Sequence, residues 1–98
     1  MANQCGLLFK ALSDPTRQKI LELLAEREQC VSDIVEHFNM SQPSISHHLD
    51  MLKRAGVVNA NKRGREVYYS LNRGCICDCC GPFFSRFGIA MNCTTESD

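Results

Sequence analysis

Four of the seven cysteines in this 98-residue chain lie within six residues of one another. They are Cys75, Cys77, Cys79 and Cys80. Thiolates are soft ligands that favour zinc, Cu(I) and similar ions, and the same chemistry suits trivalent arsenic and antimony, cadmium, lead and mercury. Three thiols can cap a pyramidal trivalent ion, and all four can close a tetrahedral site. The cluster predicts a site for a thiophilic ion, with Cys30 as a reserve ligand.

The position of two of these cysteines also predicts their reactivity. Cys79 and Cys80 precede Pro82, where a last helix is predicted to begin, and the positive end of a helix lowers the pKa of a nearby thiol. Two other interpretations remain open, namely oxidation of two cysteines in a redox or persulfide sensor, and a structural zinc or thiols packed as small apolar groups. Cys5 and Cys93 are predicted to be spare thiols, although either can complete a site across a dimer.

Positive charge is concentrated in one stretch although the net charge is zero. Residues 53–73 carry six basic side chains and one acidic side chain. A local basic patch is what contact with nucleic acid phosphates requires, whereas the alternative is that these residues only solvate a surface hairpin. The start of the chain shows no signal peptide and no window approaches a membrane span, so we expect a cytoplasmic protein whose thiols stay reduced.

The elements that position these groups are mainly helical, with one small β-hairpin, in a single domain over residues 1–98. Apolar spacing and turn residues predict a helix-turn-helix at about 31–55, a hairpin or wing at about 57–71, a Cys-rich segment at 75–80 and a last helix at about 82–91. Asp14 and Ser41 are predicted to cap the second and fourth helices. Gly56 is predicted to end the fourth helix, and Arg63-Gly64 to form the hairpin turn.

A helix-turn-helix places the front of its second helix in the major groove of DNA, where short polar side chains can reach base edges. His48 falls nearer the buried side of this helix and is predicted to be structural, while the basic wing residues would straddle the adjacent minor groove or its phosphates. The predicted DNA contacts are Ser41, Gln42, Ser44, Ser46, His47, Lys62, Arg63 and Arg65.

Three segments resemble the ArsR/SmtB family of winged helix-turn-helix metalloregulatory repressors. They are FKALSDPTRQKILELL at 9–24, SQPSISHHLDMLKRAGVV at 41–58 and GREVYYSL at 64–71. The resemblance implies a homodimer joined mainly through its first and last helices, which binds operator DNA and is released by an inducer.

Two metal sites of this family are altered in the present chain. Where family sensors often carry Cys-Val-Cys-Asp at the start of the third helix, this sequence reads Cys30-Val31-Ser32-Asp33, so one thiol ligand has been replaced by Ser32. The Asp and His pairs of a zinc site on the last helix have no counterpart, because residues 82–91 contain no His, Asp or Glu. The tail cysteines are then the remaining rich source of ligands.

The sequence therefore predicts a cytoplasmic, homodimeric transcriptional repressor that a thiophilic ion releases from double-stranded operator DNA. Arsenite or antimonite is the first expectation, with cadmium, lead or zinc as the other candidates. No catalytic constellation of the Ser-His-Asp, paired-carboxylate or phosphate-loop type is present, so an enzyme is not expected. A thiol redox or reactive-sulfur sensor is the alternative within the DNA-binding class. A protein-interaction winged helix with a structural zinc is the alternative outside it.

Overall fold

A computed structural model describes residues 4–88 as five helices and three short strands. In chain order these are α1 (Gln4–Leu12), α2 (Pro15–Glu26), β1 (Gln29–Cys30), α3 (Val31–Val35), α4 (Gln42–Arg54), β2 (Val58–Arg63), β3 (Glu66–Leu71) and α5 (Arg73–Ser85). The mainly helical fold with a β-hairpin is confirmed. Within these residues no helix combines the length and the apolar character needed to cross a membrane.

Side-chain caps determine where α2 and α4 begin. The backbone N–H of Arg17 donates to the carboxylate of Asp14 at 3.1 Å, and the N–H of Ser44 donates to the hydroxyl of Ser41 at 3.3 Å. Each bond satisfies a donor that the first turn of a helix leaves without an intrahelical partner. Gly56 follows α4 with a φ of 82°, a left-handed conformation that is cheap only for glycine. The predictions for these three residues are confirmed.

The strands form an antiparallel sheet in the order β1-β3-β2. Arg63 pairs with Glu66 at the end of the hairpin, and Gly64 provides the positive φ of the turn. The sequence did not predict β1, in which Gln29 pairs with Tyr69 and Cys30 with Tyr68. Two residues carry no alternation that could identify a strand.

The buried side of α4 packs at the centre of the core. Ile45, Leu49 and Leu52 are fully buried, at the spacing that places residues on one face of a helix. Residues from α1, α2, α3 and the start of β2 surround them. This packing fixes which side of α4 faces outward.

The prediction for the start of the last helix is wrong. α5 begins at Arg73 instead of about Pro82, and Pro82 lies inside it. Asn72 caps the helix by accepting from the N–H of Cys75 at 3.2 Å, while its amide donates to the carbonyl of Gly56 at 2.9 Å. The Cys-rich segment is therefore helical. The predicted continuation of this helix from residue 89 to 91 lies outside the described residues.

Arg17 joins three helices in a way that the sequence did not predict. Its side chain is 8% exposed, and its guanidinium donates to the carbonyl of Ala11 at 2.8 Å and to that of Lys10 at 3.4 Å. These carbonyls belong to the last turn of α1. The same group reaches His48 on α4 at 3.2 Å. Arg17 thus donates hydrogen bonds to carbonyls that the end of α1 leaves without intrahelical partners, and it positions the side chain of His48 on α4.

Candidate nucleic-acid interface and cysteine cluster

The polar side of α4 is exposed at its N-terminal end. The five predicted contact residues of this helix and its cap are all exposed. Ile45, which lies among them in the sequence, and Leu49, which follows them, are buried. These five are Ser41, Gln42, Ser44, Ser46 and His47. A row of short polar groups at the front of such a helix is suited to hydrogen bonding with base edges.

The two adjacent histidines have different surroundings. His47 is exposed, whereas His48 is half-buried and receives a hydrogen bond at Nδ1 from Arg17. Because an arginine only donates, this contact requires Nδ1 to carry no proton. The carboxylate of Asp14 lies 4.0 Å from the same nitrogen. These contacts agree with the structural role expected for His48.

A groove separates the front of α4 from the wing. Gln42 and Ser46 of α4 line it together with Arg65 of the wing. The groove has a volume of about 440 Å³ and is also lined by Val31, Ser32, Glu66, Val67 and Tyr69. The fold therefore brings a cation of the wing to the same surface as two polar residues of α4.

The three basic wing residues are not equivalent, although the sequence grouped them. Arg63 forms an ion pair of 2.8 Å with Glu28 and lies 4.7 Å from the ring centre of Tyr68. Lys62 and Arg65 are exposed and form no ion pair within residues 4–88. Lys62 and Arg65 are therefore available for contact with phosphate, whereas Arg63 is held by the protein.

The four tail cysteines point in different directions because they lie on a helix. Successive helical residues are rotated by about 100°, so Cys75 and Cys79 lie near one face of α5, and Cys77 and Cys80 lie nearer another. Cys79 forms a disulfide with Cys5 of α1, and Cys77 is also disulfide-bonded. Within the part of the chain that the structure describes, no three His, Cys, Asp or Glu side chains are grouped as a metal site.

A lowered pKa was predicted for Cys79 and Cys80, but Cys79 is in a disulfide and the pKa of Cys80 is shifted in the opposite direction. Burial raises the pKa of the Cys80 thiol. It also raises the pKa of Cys75, to which the negative charges of Asp78 and Cys80 contribute. The expected lowering by a helix N-terminus fails because α5 begins at Arg73, about two turns before Cys80.

Cys30, the reserve ligand, lies at the start of α3 and is 6% exposed. Its sulfur is 3.3 Å from the hydroxyl of Ser32 and 3.3 Å from the carboxylate of Asp33. The helix-three segment thus presents one free thiol beside two oxygen atoms. This donor set is harder than the tail cluster and suits a thiophilic ion less well.

An exposed apolar patch, formed by Phe9, Phe83 and Phe87, lies on α1 and at the C-terminal end of α5. The rings of Phe9 and Phe83 are 5.5 Å apart, and those of Phe83 and Phe87 are 5.3 Å apart. The disulfide between Cys5 and Cys79 joins the same two helices. Clustered exposed aromatic rings are typical of interaction surfaces.

The packed helix-turn-helix and its adjoining basic hairpin define a winged helix-turn-helix protein of the DNA-binding class. Comparison with known proteins identifies the family. The family model for bacterial regulatory proteins of the arsR family matches residues 14–60. The chain belongs to the ArsR family, whose members are transcriptional regulators rather than enzymes.

Three relatives illustrate the relationship. The transcriptional repressor SdpR of Bacillus subtilis is 57% identical over 65 residues, covering 66% of this chain and 72% of that protein. An arsenical resistance operon repressor of Staphylococcus aureus is 41% identical over 75 residues, covering 76% and 72% respectively. The solved ArsR-like transcriptional regulator from Rhodococcus sp. RHA1 superposes with a TM-score of 0.76, at 30% identity, over 87% of this chain and 79% of that one.

Proposed function

We propose that this protein is a homodimeric repressor that binds operator DNA through α4 and the wing. The observation that carries the proposal is the groove that Arg65 lines together with Gln42 and Ser46. Polar residues on α4 would contact bases in the major groove, and Lys62 and Arg65 would neutralise phosphates beside it. Both kinds of contact can be made at once because the groove lies between them.

The exposed apolar patch supports the dimer. A chain of 98 residues buries a modest core, and a second copy covering Phe9, Phe83 and Phe87 would remove their rings from water. In a symmetric dimer the two α4 helices would address equivalent half-sites. Their expected separation is roughly 34–36 Å, or a multiple of it, which is one turn of DNA.

A thiophilic ion bound by cysteine thiolates is the inducer we propose, with trivalent arsenic or antimony as the first candidates and cadmium, lead or zinc as the others. The ligands would come from Cys75, Cys77, Cys79 and Cys80 on α5, next to the apolar patch. Support comes from the name of the Staphylococcus aureus relative and from the soft character of these donors. Cys77 and Cys79 are oxidised in this structure and would have to be reduced before they bind an ion.

A redox-sensing repressor is the second candidate function, and the disulfide between α1 and α5 favours it. In that case formation of the disulfide would itself alter the dimer and its affinity for DNA. Ion sensing requires these cysteines to be reduced, whereas redox sensing requires two of them to become oxidised. The two functions can therefore be distinguished by adding either a thiophilic ion or an oxidant.

The decisive experiment selects binding sites from a random duplex library with purified, reduced protein and then measures release from the selected operator. We expect near-palindromic sites and release by arsenite in the presence of a thiol reductant. Release by hydrogen peroxide without any ion would instead identify the redox sensor. Enrichment of no sequence, with no salt-dependent binding to any duplex, would refute the DNA-binding proposal.

A further inference from the structure

Arg17 holds α4 at two points that lie one turn apart. Its guanidinium donates to Nδ1 of His48 at 3.2 Å and to the sulfur of Met51 at 3.6 Å. Residues three apart on a helix are neighbours on its surface, so both contacts fall on the same side of α4. At the other end of this bridge, Nε of Arg17 donates to the carbonyl of Ala11 at 2.8 Å. Arg17 therefore sets the position of α4 relative to the end of α1.

His48 connects this contact to a residue on the exposed side of α4. The ring centres of His48 and His47 are 5.9 Å apart, and the rings meet edge to face at 60°. This separation and this arrangement are those that aromatic rings prefer when they pack. His47 is exposed and is one of the proposed base contacts. The orientation of its ring thus depends on the ring of His48, which Arg17 holds.

We propose that Arg17 and His48 are positioning residues for DNA binding, and that only the uncharged ring of His48 holds α4 in its binding position. The inference rests on the proposed function, because it concerns the contact between α4 and operator DNA. Neither residue is proposed to touch DNA itself. Arg17 is 8% exposed, and the side chain of His48 is 16% exposed.

Protonation of His48 would break the bridge. A proton on Nδ1 occupies the lone pair that accepts from Arg17, and it places a second positive charge 3.2 Å from the guanidinium nitrogen. The carboxylate of Asp14 lies 4.0 Å from the same Nδ1, but it also accepts from the backbone N–H of Arg17. It offsets part of the repulsion and cannot restore the lost hydrogen bond. Among the residues that the structure describes, Arg17, Asp14 and His47 are the charged or titratable groups in contact with His48.

The sign of the expected pH dependence follows from this geometry. An ordinary imidazole titrates near about pH 6.5, so the contact is present above that range and is lost as pH falls through it. His47 acts in the opposite direction, because a protonated ring at the interface attracts phosphate. The contribution of His48 is therefore measured by substitution at this position.

The test compares His48→Gln with His48→Ala by fluorescence anisotropy on the selected operator. The amide oxygen of Gln accepts from Arg17 and does not titrate, whereas Ala provides no acceptor. At about pH 8, His48→Gln should bind like the unaltered protein and His48→Ala at least about fivefold more weakly, the lower end of typical coupling between two sites. At about pH 5.5, the unaltered protein should bind at least about fivefold more weakly than His48→Gln. His37→Gln is the matched control, since His37 is exposed, and it should follow the unaltered protein at both pH values.

Salt dependence distinguishes positioning from direct contact. Since His48→Ala removes no phosphate contact, its slope of log affinity against log salt concentration should equal that of the unaltered protein. A slope smaller by about 0.9 or more would assign His48 to phosphate contact and overturn the proposal. Circular dichroism and urea unfolding verify that each variant is folded under the conditions of the assay.

Nitrogen-15 NMR of the free protein tests the bridge without DNA, with the signals of His48 identified by their absence from His48→Gln. At about pH 8 the proton should be on Nε2, and a proton on Nδ1 would contradict the proposal. Binding of the operator that is indifferent to His48→Ala, or an equal pH response of His48→Gln and the unaltered protein, would refute the positioning role alone. Absence of binding to every duplex would refute the proposed function and the positioning role together.

Discussion

Replacing Arg65 with Ala tests whether the wing contacts phosphate, without removing an ion pair that stabilises the fold. Arg65 is exposed in the turn between β2 and β3, lines the same groove as Gln42, and forms no ion pair within residues 4–88. Its removal should therefore change the free energy of unfolding by no more than about 0.5 kcal/mol, as is usual for a surface substitution. Any loss of affinity for DNA can then be assigned to the interface.

The expected magnitude follows from release of counterions. Each phosphate neutralised by the protein contributes about 0.9 to the slope of log affinity against log salt concentration. One contact from each Arg65 of the proposed dimer gives a difference of about 1.8 in this slope. Between roughly 50 and 200 mM salt, the unaltered protein should lose about twelvefold more affinity than Arg65→Ala does.

The assay is fluorescence anisotropy with specific and random duplexes across a salt series. Arg63→Ala is the matched control, because Arg63 is already paired with Glu28 and stacked on Tyr68. That variant should lose about 0.2–1 kcal/mol of stability from the exposed ion pair, with a much smaller change in slope. An unchanged slope for Arg65→Ala on both duplexes would show that the wing does not contact phosphate.

Four further substitutions test other parts of the molecule. His47→Ala should cost about 1–3 kcal/mol on the selected operator and relax base preference, as measured with single-base operator variants. Arg17→Met should lower the free energy of unfolding in urea by about 1–3 kcal/mol, because the buried carbonyl of Ala11 loses its donor. In Asp14→Asn the helix cap remains but the charge is lost. The hydrogen bond from the backbone N–H of Arg17 lowers the pKa of the Asp14 carboxyl in the folded state. The stability contributed by that charge is present above the ordinary value of 3.8 and is lost as pH falls through the lower folded value, so the advantage of Asp14 over Asn in thermal unfolding should disappear in acid. Phe87→Glu should convert the proposed dimer to monomer in sedimentation, since Phe87 is 64% exposed and can accept a charge without unfolding the chain.

The sequence predicted those features that depend on local chemistry. Asp14 and Ser41 are caps because a short polar side chain precedes an apolar period, and Gly56 ends α4 because glycine accepts a positive φ. The buried positions of α4 follow from spacing alone. Each of these signals is contained within a few residues, so no knowledge of the tertiary structure was needed.

Features that depend on distant partners could not be predicted in the same way. The start of α5 was misplaced because Gly81-Pro82 resembles a boundary, while Asn72 caps the helix and is held by the carbonyl of Gly56, 16 residues earlier. Cys5 was interpreted as a spare thiol although it lies three residues before Leu8, on the inward face of α1. That spacing was an available signal that Cys5 packs against the fold, but its bond to Cys79 spans 74 residues.

The burial of Arg17 has a consequence for how the protein opens locally. Its guanidinium holds the last carbonyls of α1 and the ring of His48 together, so α1 cannot unravel without exposing or unpairing a group on α4. Segments that share such a contact open as one cooperative unit rather than fraying separately. Amide hydrogen exchange at the C-terminal end of α1 should therefore proceed at the slow rate of the middle of α4, although α1 is the first helix of the chain.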